Sequence, residues 1–241
     1  MKCLILAAGY ATRLYPLTEN FPKPLLPVGG KPIIEWLIGD LRPVTEEFIV
    51  VTNHKFASIF DEWAKDKRIT VIDDGTMTNE TRLGAVRDIE LGIRGVEEDV
   101  LVIAGDNLLD FSLIPFVEFA RSKNASCVMC HIENDPVKQR KTAIITADRK
   151  GLVTTYEEKP SEPKGNLAVP PFYYFNHSDF STISKAVDEG CSTDAPGSLA
   201  AWLSSKKPMY AWRMKGSRYD IGDVSSYMAV KDIYCGPIQK R

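Results

Sequence analysis

Apolar positions fall into short runs and stripes that alternate along the first half of the chain. KCLILAA, near the N-terminus, is a brief unbroken run and predicts a buried strand. Residues 32–42, PIIEWLIGDLR, instead put Ile34, Leu37, Ile38 and Leu41 on one helical stripe. The alternation then repeats. EFIVVTN predicts a strand and FASIFDEWAKD a helix; RITVID predicts a strand and TRLGAVRDIELGI a helix; DVLVIAGDN closes the series. The uninterrupted VLVIA of that last segment suits a strand covered on both faces, as in the middle of a parallel sheet. Such alternation predicts an α/β fold. Ligands of these sheets gather at the carboxyl ends of the strands, so the loops after Ala7, Asn53, Asp73 and Ala104 are expected to line one crevice.

After about residue 124 the texture changes. ASCVMCHI, TAIITAD, GLVTTYEEK and LAVPPFYYF are strand-like and separated by turn signals such as Asp148-Arg149-Lys150-Gly151. They predict a mixed or antiparallel half, with PFYYF as a core strand. Helices are expected near 178–188, 195–205 and 224–234, with MYAWRMK as a strand before the last. No Gly/Ser linker, low-complexity tract or internal repeat interrupts the chain. The organisation expected is one domain over 1–241, with halves 1–124 and 125–241.

Composition narrows the classes. In 241 residues, 30 Lys plus Arg face 32 Asp plus Glu, a net charge of −2. A protein that coats nucleic acid would show a basic excess, so that class is excluded. No apolar run of about 18 residues predicts a membrane span, and the apolar N-terminal stretch is too short for a signal peptide. Five scattered cysteines read as reduced thiols of a cytoplasmic protein. Cys127 and Cys130 form a C-x-x-C within a predicted strand, where positions three apart face opposite sides, so they read as buried or edge thiols. His54, His131 and His177 share no motif and read as structural or surface residues.

Four strings carry chemistry. In LAAGYATRLYPLTENFPKPLLPV, small residues let backbone N–H groups approach phosphate oxygens, while Arg13 and Lys23 supply cations for a polyphosphate. A Walker A loop is absent. Taken alone, the string also fits a glycine turn with solvated charges. Ala104-Gly105-Asp106-Asn107 places a carboxylate at a strand's carboxyl end, where it suits a hard cation or an ordinary Gly-Asp turn. Tyr219-Asp220-Ile221-Gly222 offers a second acid, and Asp223 after it reads as a helix cap. Glu157-Glu158-Lys159-Pro160, followed by SEPKGN, would be bland surface if read alone.

In order and spacing, LAAGYATRLYPLT, PKPLLPV, KPIIE, AGDN, EEKP, DAPG…WL and YDIG resemble the sugar-phosphate nucleotidyltransferase family, in particular its glucose-1-phosphate thymidylyltransferase-like group. The resemblance spans Met1 to about Tyr234. It implies a Rossmann-like, mostly parallel central sheet with helices on both faces and an antiparallel sugar-binding elaboration. The implied activity is Mg²⁺-dependent transfer of a nucleotidyl group from dTTP, UTP or CTP to a sugar 1-phosphate, giving an NDP-sugar and pyrophosphate. Leu6, Ala8, Gly9, Arg13, Lys23, Gly84 and Asp106 are then the nucleotide-binding set, and Arg13, Lys23 and Asp106 the catalytic one. Asp106 and Asp220 hold Mg²⁺, while Glu158, Lys159 and Val169 receive the sugar phosphate.

Some positions depart from the family pattern. Ala11 stands where the family usually has Gly. Ala143 and Pro171 replace glycines expected beside the sugar, which predicts an acceptor other than glucose 1-phosphate. Asp73-Asp74-Gly75-Thr76 and residues 79–83 stand where a base-reading Gln is common. Two other readings stay open: a cytidylyltransferase acting on a non-sugar phosphate, and a non-catalytic nucleotide-sugar sensor. A sensor has no need to keep Lys23, Asp106 and Asp220 together. The partners expected are the two small substrates, with no nucleic acid and no membrane; homo-oligomerisation stays open. No C-terminal β-helix repeat occurs, so neither a second acyltransferase activity nor a β-helix trimer is expected.

Overall fold

The computed structural model describes residues 1–237. They form two compact units, and the chain passes between them four times. Unit 1 comprises Met1–Leu83, Ala104–Ile114 and the stretch from Lys215 on; unit 2 comprises Gly84–Ile103 and Pro115–Met214.

The first passage through unit 1 runs β1 (Lys2–Leu6), β2 (Pro27–Val28), β3 (Lys31–Pro32), α1 (Ile33–Leu41), β4 (Phe48–Thr52), α2 (His54–Ala64) and β5 (Ile69–Asp73). Unit 2 opens with α3 (Ala85–Ile93) and β6 (Val100–Ala104), and β7 (Asn107–Leu109) follows in unit 1. Unit 2 continues with α4 (Ile114–Lys123), β8 (Ser126–Ile132), α5 (Pro136–Gln139), β9 (Ala143–Ala147) and β10 (Val153–Glu158). Its remaining elements are β11 (Leu167–Val169), β12 (Phe172–Phe175), α6 (Phe180–Ile183), α7 (Pro196–Ser204) and β13 (Met209–Arg213). β14 (Arg218–Asp220) and α8 (Val224–Val230) return to unit 1.

In unit 1, β4 lies between β1 and β5, parallel to both, with Leu6 opposite Val51 and Thr52 opposite Asp73. The β-branched and aromatic FIVVT of β4 is buried at all five positions, as a strand covered on both faces requires. α2 starts where Asn53 turns its side-chain oxygen onto the Phe56 N–H, which satisfies one of the orphan donors of the first turn. Its apolar stripe buries Phe56 and Phe60. β14 pairs antiparallel with β7, Asp220 opposite Asn107. Below that ribbon Leu14, Val28, Ile33, Leu108, Ile221 and Tyr227 pack into one core. Asp223 caps α8 through a reciprocal bond with Ser226, as its position before the helix suggested.

Unit 2 is mainly antiparallel. β12 pairs antiparallel with both β6 and β8, and β11 with both β8 and β9; β10 pairs with β9, and β13 alone runs parallel to β8. Residues 100–103 of β6 are fully buried, yet the strand pairs antiparallel with β12 here. Burial on both faces therefore does not require an all-parallel setting. Phe172–Phe175 is buried throughout, so PFYYF is core. Where a helix was expected over 178–188, a 3₁₀ turn (His177–Asp179) leads into the single turn of α6. Cys127 and Cys130 are both buried in β8, and burial pushes their thiols up to about 12 and about 11. Thiols so far from ionisation are poor nucleophiles and metal ligands. Among the described residues, no helix is long and apolar enough to cross a membrane.

Candidate active site residues in the two units

In unit 1 the carboxyl ends of the strands are stitched together. The Ala7 N–H donates to Val51 O (2.8 Å), Asn53 Nδ2 to Ala8 O (3.0 Å) and the Gly105 N–H to Leu6 O (3.0 Å). The Tyr10 and Thr76 hydroxyls meet at 3.1 Å, joining the loops after β1 and β5. The four loops expected to line a crevice thus converge within this unit. Gly9 is exposed, with open space where a Cβ would stand, so its backbone is accessible to a ligand.

Ala11 has φ +47° and opens the 3₁₀ turn Thr12–Leu14. This is the left-handed region, which explains why glycine is usual there. The Ala11 carbonyl accepts from the Leu14 N–H and the buried Thr18 hydroxyl, so the turn is held from two sides. Arg13 on this turn is exposed, and after the Ser226 hydrogen bonds its charge helps to hold the Asp223 carboxyl below its usual range.

Lys23 is the opposite case. Its side chain is only 9% exposed, and its ammonium lies 2.6 Å from Asp106 Oδ2. Gly105 makes that approach feasible: an added Cβ would lie 2.9 Å from Ile5 Cγ2 and 3.4 Å from Pro24 Cβ, forcing the Asp106 loop outward. Polar contacts then continue without a gap. Asn107 Nδ2 donates to Asp106 Oδ1 (3.0 Å), Arg218 NH1 to Asn107 Oδ1 (2.7 Å), and Arg218 NH2 meets Asp220 Oδ2 (3.5 Å). Lys23, Asp106 and Asp220 therefore belong to one network. Asn107 and Arg218 complete it; neither residue type announces such a role, and only the β7–β14 register brings them together.

This network fits a hard cation. Its two carboxylates offer oxygen donors, Asp106 from the turn before β7 and Asp220 from β14, and Asp220 is 63% exposed. No group of three or more acidic, His or Cys side chains able to hold a metal occurs among the described residues. Mg²⁺ takes one or two carboxylates and completes its shell with water and substrate phosphates, and Asp106 and Asp220 are two such groups.

Also in unit 1, the end of β5 and the loop after it carry two acids, Asp73 and Asp74. Burial and the His54 side chain act on Asp73 in opposite directions, and the His54 hydrogen bond holds the carboxyl below its usual range. Asp74 is pushed up by burial, and its Oδ1 accepts from both the backbone and hydroxyl of Thr76.

The residues expected to receive the acceptor lie in unit 2, and strand register gathers them. Glu158 on β10 and Val169 on β11 both stand opposite Ala143 on β9. Ala143 thus sits at the centre of the expected acceptor set and is itself buried. Glu158 lies against the first turn of α7, where an added Cβ on Gly197 would overlap its carboxylate. Burial pushes the Glu158 carboxyl above its usual range; nearby Lys159 opposes the shift and Asp194 adds to it. Tyr156, on the same face of β10, buries its hydroxyl beside that of Tyr173. Gly84 also lies in unit 2, at φ +89°, where a side chain would overlap the Thr193 carbonyl. Packing against a neighbouring loop is enough to require glycine there.

Open α/β sheets bind ligands at the carboxyl ends of their strands, which is where the paired Lys23 and Asp106 stand. The chain belongs to the nucleotidyl transferase family, whose model matches residues 2–235. It is 26% identical over 237 residues to the bifunctional protein GlmU of Methanocaldococcus jannaschii, covering 96% of this chain but 55% of that protein. It is 28% identical over 233 residues to the UTP–glucose-1-phosphate uridylyltransferase AglF of Haloferax volcanii, covering 92% of this chain and 91% of that one. The chain spans about half the length of the GlmU proteins it matches. The crystal structure of a UDP-glucose pyrophosphorylase complexed with UDP-glucose superposes with a TM-score of 0.80 at 23% identity, over 97% of each chain, and shares the Rossmann-like α/β fold.

Proposed function

We propose that this chain transfers a nucleotidyl group from a nucleoside triphosphate to a sugar 1-phosphate, releasing pyrophosphate. The observation that carries the reading is the buried Lys23 ammonium held 2.6 Å from Asp106, at the carboxyl ends of the unit 1 strands. Family membership and relatives named uridylyltransferase and adenylyltransferase support the same reaction class.

An oxygen of the acceptor phosphate attacks the α-phosphorus while the bond to pyrophosphate breaks in line. The attacking oxygen is already ionised, so the protein has little proton transfer to perform. Its contribution is positioning and charge stabilisation. The exposed Gly9 backbone and Ala8 receive the triphosphate, with Leu6 at the strand end. Lys23 and Arg13 meet the charge that grows on the departing pyrophosphate. Asp106 fixes the Lys23 ammonium, and Lys159 and Glu158 hold the acceptor beside Val169. Asp106 and Asp220 are the groups that would hold Mg²⁺, which when bound neutralises phosphate charge.

Ala143 adds a methyl between Glu158 and Val169, and Pro171 precedes the Phe172 N–H that closes onto Pro170 O (2.7 Å). We take both as narrowing the acceptor site, and expect an acceptor other than glucose 1-phosphate. The deciding experiment is pyrophosphate release on mixing the protein with each of dTTP, UTP, CTP and ATP, with Mg²⁺ and a panel of sugar 1-phosphates and alkyl phosphates. Release with none of them overturns the reading. Release with an alkyl phosphate alone would favour a cytidylyltransferase-like role.

A further inference from the structure

The lysine expected to take the acceptor phosphate already has an anionic partner. Lys159 Nζ lies 3.5 Å from Asp194 Oδ2, and both side chains are about half exposed. Asp194 is presented from a pinned backbone: its carbonyl accepts from the Ala85 N–H (3.3 Å), and the Thr193 carbonyl accepts from the Val86 N–H (3.1 Å). Gly84 closes against that same Thr193 carbonyl. Lys159 is held as well, at φ +48°, with its N–H on Thr142 O (3.2 Å). Ala195 is the cap residue of α7 and Pro196 opens it, so Asp194 stands one residue before the cap. From there its carboxylate meets the lysine.

We propose that Asp194 is an internal counter-ion for Lys159, a positioning residue that an incoming phosphate must displace. A phosphate group and the Asp194 carboxylate are both anions seeking one ammonium. The pair is long and solvated, so it holds Lys159 in place without trapping it. Its effect is to favour ligands with a full phosphate charge over weaker anions such as carboxylates. This rests on the reading of Lys159 as the acceptor-phosphate residue.

Two measurements test it. The first needs no substrate: reductive labelling of Lys159 with pyridoxal 5′-phosphate, an aldehyde that carries a phosphate, read by peptide mass mapping. Asp194→Asn should label Lys159 about three- to tenfold faster than wild type, the order of an exposed pair plus a lost repulsion. Asp194→Glu, which keeps the charge, should stay near wild type. Equal or slower labelling in Asp194→Asn overturns the proposal. The second is steady-state kinetics, in which Asp194→Asn should lower KM for the sugar 1-phosphate by a similar factor and move KM for the nucleotide less than about twofold. A rise in acceptor KM, or equal shifts in both, overturns it. Faster labelling in a protein that turns over no sugar 1-phosphate would keep the counter-ion role and sink the acceptor assignment instead.

Discussion

Lys23 in unit 1 and Lys159 in unit 2 are both expected to face phosphate, and each is paired with an aspartate, yet the pairs differ in kind. Lys23 is 9% exposed and 2.6 Å from its acid; Lys159 is 50% exposed and 3.5 Å from its own. A buried ammonium cannot fall back on water, so its partner is needed for folding. A solvated pair is worth little to stability and opens easily. On the proposed function, the contrast separates a charge that stays put while pyrophosphate leaves from one that is released to receive a ligand.

The largest effect should come from breaking the buried pair. Asp106→Asn should lower turnover by about 10²-fold or more, the order seen when a preorganised charge-stabilising group is lost. It should also destabilise the protein by about 3 kcal/mol, because Lys23 keeps its charge without a counter-ion. Two clustered carboxylates, taken as a pair of acids, would suggest the reverse: relief of repulsion on neutralising one. The salt bridge decides against that for Asp106. Asp220 is exposed beside Arg218, so Asp220→Asn should lose turnover with little change in stability. Thermal melts and Mg²⁺-dependent pyrophosphate release check both. A mutant at either position with near-normal turnover would sink the metal assignment.

Next in size, the two lysines should fail differently. Lys23→Met should reduce kcat more than it raises KM for the nucleotide, since charge on the leaving group grows toward the transition state. Lys159→Ala should raise KM for every acceptor about equally. If Lys23→Met changes only KM, the two lysines do the same job and the contrast fails.

How much of this was readable beforehand follows from where the determinants lie along the chain. Strand–loop–helix periodicity is local, so the parallel strands of unit 1 and the loops that end them could be named from the residues. Lys23 and Asp106 stand in contiguous strings. What joins them is Gly105, and its reason is a non-local approach to Ile5 and Pro24. The Asn107–Arg218–Asp220 bridge is set by a register between strands over a hundred residues apart. The expected acceptor set is likewise a product of register: Ala143 between Glu158 and Val169 follows from three antiparallel strands, whose pairing no local pattern specifies. Local reading also made the helix over 178–188 too long, because helical spacing cannot show that a 3₁₀ turn begins it.

A smaller effect separates the acids by burial. Glu158 has its carboxyl raised mainly by burial. A raised acid favours the folded state below its unfolded pKa and loses that contribution as pH rises through the folded value. Ionising Glu158 in place is therefore a cost to the protein near neutral pH. Glu158→Gln should melt a few degrees higher than wild type at pH 8, with the gain shrinking toward zero by pH 4, while acceptor binding weakens. A gain that is the same at both pH values would mean that burial of the charge is not its cause.

The smallest effect lies in the backbone. Ala11 and Lys159 are both left-handed without being glycine, at φ +47° and +48°. That conformation costs an L-residue about 1–2 kcal/mol, while glycine returns about 0.5–1 kcal/mol through its freer unfolded chain. Ala11→Gly should therefore be neutral to stabilising by about 1 kcal/mol, a Tm shift of at most about 4 °C for a chain of this size. Lys159→Gly should be more stable than Lys159→Ala by a similar amount, since both lose the charge and only one keeps the strain. The two sites should then respond alike in melting and differently in activity. Ala11→Gly should leave KM for the acceptor in place, whereas Lys159→Gly should raise it as far as Lys159→Ala does. If Lys159→Gly restores part of the lost acceptor binding, the strained backbone, and not the ammonium, is what the phosphate meets at this position.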